Sequence, residues 1–151
     1  MSERNYFAPV FIEKLWLAGI NFSIERDPAD SMHMNLSVSI EKTPMHKDED
    51  GARHEAVDVY VDVFLVNDED EDDTRLSASA HIYIEVGVDY PDLADDDAES
   101  YLTRNAVSMS YSHARSCLMS VTSLSPMSGL ILPPVLPDEL IKESMGTKSD
   151  K

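Results

Sequence analysis

SYLTRNAVSMSYSHARSCLMSVTSLSPMSGLILPPVLP, Ser100 to Pro137, holds no Asp or Glu at all, in a chain that carries 29 Asp+Glu against 12 Lys+Arg. A stretch so free of carboxylates in so acidic a chain needs a covering surface: the chain's own sheet, a second copy of the chain, or a bound client. Its first part reads as a long helix over Asn105 to Leu124. Val107, Tyr111, Ala114, Leu118 and Val121 recur there at 4-3-4-3 spacing and make one apolar stripe. Leu102, Ala106, Met109, His113, Cys117 and Ser120 make a second stripe, about a third of a turn round, of smaller or softer residues. One stripe covers a sheet, and the second asks for another surface. Pro126 and Gly129 stop the helix, and Leu130 to Leu136 is extended because Pro133, Pro134 and Pro137 cannot continue one. Pro137-Asp138-Glu139 then opens a short helix running to Ser144.

Upstream, the pattern changes from a helical period to a period of two. Four strands follow from it: Val10 to Glu25, Met34 to Lys42, Ala56 to Asn67 and Arg75 to Asp89. In the third, Val57, Val59, Val61, Val63 and Leu65 share one face, and Asp58, Tyr60, Asp62 and Phe64 the other. In the fourth, Leu76, Ala78, Ala80, Ile82, Ile84, Val86 and Val88 face inward, with His81, Tyr83 and Glu85 outward. Such alternation is the sign of an antiparallel sheet with one wet face. Gly19 is the candidate bulge in the first strand, and the acidic run Asp68 to Asp73 is the expected hairpin loop. Asp97 is the candidate helix cap, with Glu99 near the positive end. The fold class is α+β: a four-stranded antiparallel sheet, a long helix and a short C-terminal helix.

The 151 residues suit one domain, taken as 10–145, with a flexible N-terminus over 1–9 and a disordered tail over 146–151. A formal net charge of −17 argues against nucleic acid and anionic membrane as partners and suits a basic one. A single cysteine, Cys117, leaves no internal disulfide and agrees with a reducing cytoplasm. Neither a signal peptide nor an apolar run of roughly 18 residues, the length of a membrane span, is expected.

No enzyme is expected. Cys117 and His113 stand one helical turn apart, but no Asp, Asn or Glu lies near to orient the histidine, so a packed thiol is the plainer reading. The alternating Asp68, Asp70 and Asp72 resemble a calcium loop, yet its sixth and twelfth positions are Asp73 and Ser79 instead of Gly and a carboxylate. His33, His46, His54 and His81 show no metal-ligand spacing. Phosphate-loop, dinucleotide and hydrolase motifs are missing. No cofactor and no metal are called for.

Two surfaces remain as candidates. The outward carboxylates Asp58, Asp62, Glu85 and Asp89, interleaved with Tyr60, Phe64 and Tyr83, offer a flat acidic face to a basic partner. The methionines, which adapt to varied apolar ligands, offer a groove. Met32, Met34 and Met109, with Tyr101 and with Leu130, Ile131, Leu132, Val135, Leu140 and Ile141, are its candidate lining.

Several local strings converge on one resemblance. IEKLWLAGINFS (Ile12 to Ser23) is similar in apolar spacing to the opening strand of the SecB family of export chaperones. Tyr111 followed by Ala114-Arg115-Ser116-Cys117 resembles that family's aromatic-x-x-Ala-Arg-x-Cys pattern. Leu130-Ile131-Leu132-Pro133-Pro134-Val135 resembles the segment before its last helix. The resemblance implies subunits whose sheets join in pairs, and a homotetramer, a dimer of dimers packed helix on helix. Ala106, Met109, His113, Cys117 and Ser120 would then form the oligomer interface. It also implies ATP-independent holding of unfolded polypeptides for export, with Tyr111, Leu130, Leu132 and Val135 in the groove and a SecA-type translocase motor as partner. The chain departs from the pattern at Gly19 and Ser23, where the family's motor-docking acids fall, and at the basic tail residues Lys148 and Lys151. Some SecB-like proteins serve a toxin–antitoxin pair, so an antitoxin is the alternative partner, and an adaptor for one basic protein is the rival from another class.

Overall fold

The valines of the third strand sit at the centre of a five-stranded antiparallel sheet. The computed structural model describes residues 10–90, 92–123, 125, 132–133 and 137–146. Its elements are β1 (Val10–Ile24), β2 (Met32–Lys42), β3 (His46–Lys47), β4 (Arg53–Asn67), β5 (Asp70–Val88), α1 (Asp95–Thr122) and α2 (Pro137–Gly146). The strand order is β1-β5-β4-β2, with the short β3 paired to β4. The order puts β1 and β2, neighbours in sequence, on opposite edges. The chain between them crosses the end of the sheet, where the Glu25 N–H donates to the Arg75 carbonyl and the Asp68 N–H to that of Ser31.

The expected faces are those observed. Val57, Val59, Val61 and Val63 of β4 and Leu76, Ile82, Ile84, Val86 and Val88 of β5 are fully buried on the side covered by α1. β-branched side chains lose little freedom on a pleated surface, and each buried one contributes about 1.5–3 kcal/mol.

Several features differ from the reading of the sequence, beginning with the short β3, a fifth strand where four were expected. β4 begins at Arg53 because its guanidinium is buried, donating to the carbonyls of Tyr90 and Leu93 and to Asp95. β5 begins at Asp70, so the acidic run lies mostly in the ladder and only Asp68 and Glu69 form the turn. Its charge is offset there: the Asn67 amide and the Arg75 guanidinium both donate to Asp73. The bulge expected at Gly19 falls between Leu17 and Gly19, and a second lies between Ile12 and Lys14. Helix α1 starts at Asp95, ten residues before the expected start at Asn105. Its cap position is Ala94, which makes no side-chain hydrogen bond, in place of the expected Asp97. Asp95, Asp96 and Asp97 occupy its first turn, where the helix dipole favours negative charge.

The first stripe of α1 is buried as expected at Val107, Tyr111, Ala114 and Leu118, and it is the second that needs correction. Ala98, Leu102, Ala106, Ser110, Ala114, Leu118 and Thr122 are all buried. They form one i,i+4 row, and such a row turns about 40° per step on a helix of 3.6 residues per turn. The row therefore winds around α1, which touches β5, β4, β1 and α2. Ala106, expected at a subunit interface, is fully enclosed in this chain's own core.

Candidate polypeptide-binding surfaces

α1 and α2 do not cover the sheet evenly. They lie mainly over β5 and β4, while α2 also reaches β2 and α1 reaches β1. On β1, Val10, Leu15, Ile20 and Phe22 pack against the core, while three other apolar residues of the strand stay open. Ile12, Leu17 and Ile24 pair with the buried Val86, Ile82 and Leu76, yet are 44%, 37% and 41% exposed. An interrupted apolar shelf thus runs along an edge strand whose outer backbone groups meet no partner strand among the described residues. The opposite edge is closed at one point, where the Ile40 N–H of β2 donates to Ser144 Oγ of α2 at 2.9 Å.

A cleft of about 360 Å³ opens between α1, α2 and β2, lined by Lys42, Asp96, Glu99, Ser100, Thr103, Asp138 and Ile141. Its floor is a polar network. Lys42 Nζ lies 2.7 Å from Glu99 Oε1 and 3.3 Å from Glu55 Oε2, and the Thr103 hydroxyl donates to Glu55 Oε1 at 2.7 Å. The two partners respond differently because they are enclosed differently. Burial pushes the Glu55 carboxyl above its usual range, and Thr103 and Lys42 only partly restore it. Burial also works against charge on Lys42, but contacts with Glu99 and Glu55 outweigh it and hold the ammonium above lysine's ordinary value.

The residues expected in one groove are spread over several places. Among the described residues of that set, Ile141 alone lines the cleft. Tyr111, Leu132 and Leu140 are buried in the core, and the Tyr111 hydroxyl donates to the Pro133 carbonyl at 2.7 Å. Burial raises the Tyr111 phenol. Met32, Met34 and Met109 are half-buried against the same core, whereas Tyr101 is exposed. Leu130, Ile131 and Val135 lie outside the described residues. On the outer side of α1, Met109, His113 and Cys117 are half-buried and Ser120 is exposed.

The face of the sheet away from α1 carries Asp58, Asp62 and Glu85 of the expected carboxylates, and two of them, Asp58 and Glu85, are engaged. Asp58 Oδ1 is 2.5 Å from His81 Nε2, and the His81 ring stacks on Tyr60 with centroids 4.2 Å apart. Glu85 accepts the Tyr83 hydroxyl at 2.6 Å and lies 3.5 Å from Lys14 Nζ. That hydrogen bond holds the proton on Tyr83 and pushes its phenol up to about 12. Asp62 borders a shallow cavity of about 260 Å³ with Phe22 and Phe64, and Asp89 is exposed just past the end of β5. Trp16 of β1 stacks on Tyr83 at 5.0 Å, so the aromatic character of this face is greater than β4 and β5 imply.

Sequence reasoning missed the polar floor of the cleft and the place of Trp16. Glu55 lay in a segment read as loop, although its parity with Val57 and Val59 would have put it on the buried face of a longer strand. Trp16 sits between two bulges, which break the alternation that would have assigned its face.

Comparison with known proteins adds a fold. A Mycobacterium tuberculosis SecB-like chaperone, Rv1957, solved in complex with a ChAD peptide from the Rv1956 HigA1 antitoxin, matches with a TM-score of 0.61 at 12% identity. The match covers 83% of this chain and 90% of that one. A Streptococcus agalactiae protein of unknown function is similar at a TM-score of 0.44 and 10% identity, over 82% of this chain and 96% of that one. No protein-family model and no curated protein sequence matches. The chain shares its fold with a SecB-like chaperone. Among the described residues no helix is long and apolar enough to cross a membrane.

Proposed function

We propose that this chain is an ATP-independent holdase, a chaperone that keeps unfolded polypeptide soluble by covering its apolar stretches. The observation that carries the reading is the shelf on β1, where Ile12, Leu17 and Ile24 remain exposed beside a strand edge that has no partner strand among the described residues. An extended client laid along that edge would gain backbone hydrogen bonds without regard to sequence, and about 25 cal/mol for each Å² of apolar surface covered. The fold shared with a chaperone solved around a peptide supports the same reading. In this proposal the working unit is a cytoplasmic homotetramer joined through the outer side of α1, with Met109, His113, Cys117 and Ser120 at the contact. Several shelves on one particle then add avidity. The net charge of −17 keeps a loaded complex in solution and favours clients with some positive charge.

Denatured protein diluted into buffer aggregates and scatters light. The chain is expected to suppress that scattering at one tetramer per client, and a Leu17→Asp, Ile24→Asp variant to suppress it much less. Unchanged scattering with the parent protein would overturn the proposal.

A second reading concerns the client. The neighbouring structure holds an antitoxin peptide, and Gly19 and Ser23 stand where acids for motor docking fall in the export family. An antitoxin segment is therefore the favoured client over export precursors handed to a translocase motor. The acidic outer face, with Asp58, Asp62, Glu85 and Asp89, suits one basic partner. Its binding should weaken steeply with salt, whereas binding on the apolar shelf should persist.

A further inference from the structure

The densest meeting of titratable groups outside these surfaces surrounds His54. Its side chain is 13% exposed and lies on the outer face of β4 opposite Gly87 of β5. His54 Nδ1 is 2.8 Å from Glu13 Oε1, and Nε2 is 2.7 Å from Asp48 Oδ2. Glu13 belongs to β1, two strands away, and reaches across β5 for two reasons. It is the extra residue of the bulge between Ile12 and Lys14, so the ladder does not pair it. The strand it crosses is bare at that point, for a Cβ on Gly87 would fall 2.5 Å from the Phe11 ring and 3.0 Å from His54 Nδ1. His46 of β3 stacks on the same imidazole with centroids 5.4 Å apart. Glu85 and Glu55 border the surrounding cavity of about 330 Å³, but Glu85 is turned to Lys14 and Tyr83, and Glu55 to Lys42 and Thr103.

An ionised carboxylate can only accept hydrogen bonds. A ring with a carboxylate at each nitrogen must therefore carry a proton on both, as the imidazolium. Remove one proton and a nitrogen lone pair faces a carboxylate oxygen, so one of the acids has to leave. Asp48 is anchored, since its Oδ1 also accepts the backbone N–H groups of Asp50 and Ala52 at 2.9 and 3.0 Å. Glu13 is 36% exposed and shows no other ion pair or hydrogen bond among the described residues. Glu13 is the one that moves.

We infer that His54 is a proton-operated latch: protonated, it fastens the bulged start of edge strand β1 to β4 and the β3–β4 turn through Glu13, and neutral, it releases that end of the strand. The inference stands on geometry and does not depend on the chaperone reading.

Amide hydrogen exchange on the full chain tests it, followed for the β1 amides from Phe11 to Trp16 and corrected for intrinsic rates, across about pH 5–8, where imidazoles titrate. The opening equilibrium of these amides should rise with pH by up to about tenfold per unit, the limit for one linked proton. His54→Gln should abolish the slope. Glu13→Gln should abolish it while keeping protection, because a carboxamide can accept from the imidazolium or, flipped, donate to the neutral ring. Long-range ¹⁵N spectra should show both His54 nitrogens protonated at the acidic end. A flat profile in the parent protein, an unchanged slope in either variant, or a neutral His54 ring at the acidic end would overturn the inference.

Discussion

Replacing Lys42 with methionine isolates the network beneath α1. The side chain of Glu55 is 0% exposed and that of Lys42 only 15%, so the substitution leaves a carboxylate enclosed with the Thr103 hydroxyl as its remaining close donor. Breaking a buried ion pair on one side costs about 3–5 kcal/mol. The Thr103 hydrogen bond is present before and after the substitution and cancels in the difference, so the expected loss stays at about 3–5 kcal/mol where Glu55 is ionised. The loss depends on pH in a defined sense. The folded-state pKa of Glu55 is raised, so folding holds its proton more tightly than the unfolded chain does. The enclosed carboxyl is harmless while protonated in both states, and it costs stability as pH rises above the unfolded value of about 4.3, at about 1.4 kcal/mol per unit until the folded value is passed. Lys42→Met pushes that folded value further up and widens the window. Urea unfolding at pH 5 and pH 8, at one protein concentration, should show a larger deficit at pH 8. Adding Glu55→Gln should restore most of it. A deficit equal at both pH values, or no rescue by the double variant, would refute the account of Glu55 as an enclosed charge held by Lys42.

Arg53→Met should cost about 3 kcal/mol or more in thermal or urea unfolding, since it leaves the carbonyls of Tyr90 and Leu93 with no donor from this side chain, and should raise amide exchange in the first turn of α1. Tyr83 should ionise near pH 12 in an ultraviolet titration, and Glu85→Gln should bring it back towards the ordinary phenol range of about 10. Ile82→Ala, at the centre of the sheet, should cost about 2–5 kcal/mol, read from the urea midpoint at unchanged slope. Tyr83→Ala should shift the emission of Trp16, the sole tryptophan, to the red by opening its stacked face to water.

The sequence by itself determined which side of each central strand is dry, that a long helix covers that side, and that Pro137 begins a second one. Alternation and helical spacing are local properties of consecutive residues, and Val57 to Leu65 or Leu76 to Val88 need no knowledge of their neighbours to declare a face. What only the tertiary structure decided are the facts that join distant residues. The order β1-β5-β4-β2 places β1 on an edge, where Ile12, Leu17 and Ile24 stay uncovered, and two bulges put them on one face despite their odd spacing in the sequence. The winding i,i+4 row of α1 takes Ala106 into the core because a helix wedged against both a sheet and α2 is covered along a spiral, not along one straight stripe. Glu55 and Lys42, 13 residues apart, meet only because β2 pairs with β4, and Glu13 meets His54 only across a glycine in the strand between them. Register and strand order arise from contacts between residues far apart in the chain, and a one-dimensional pattern carries no record of them.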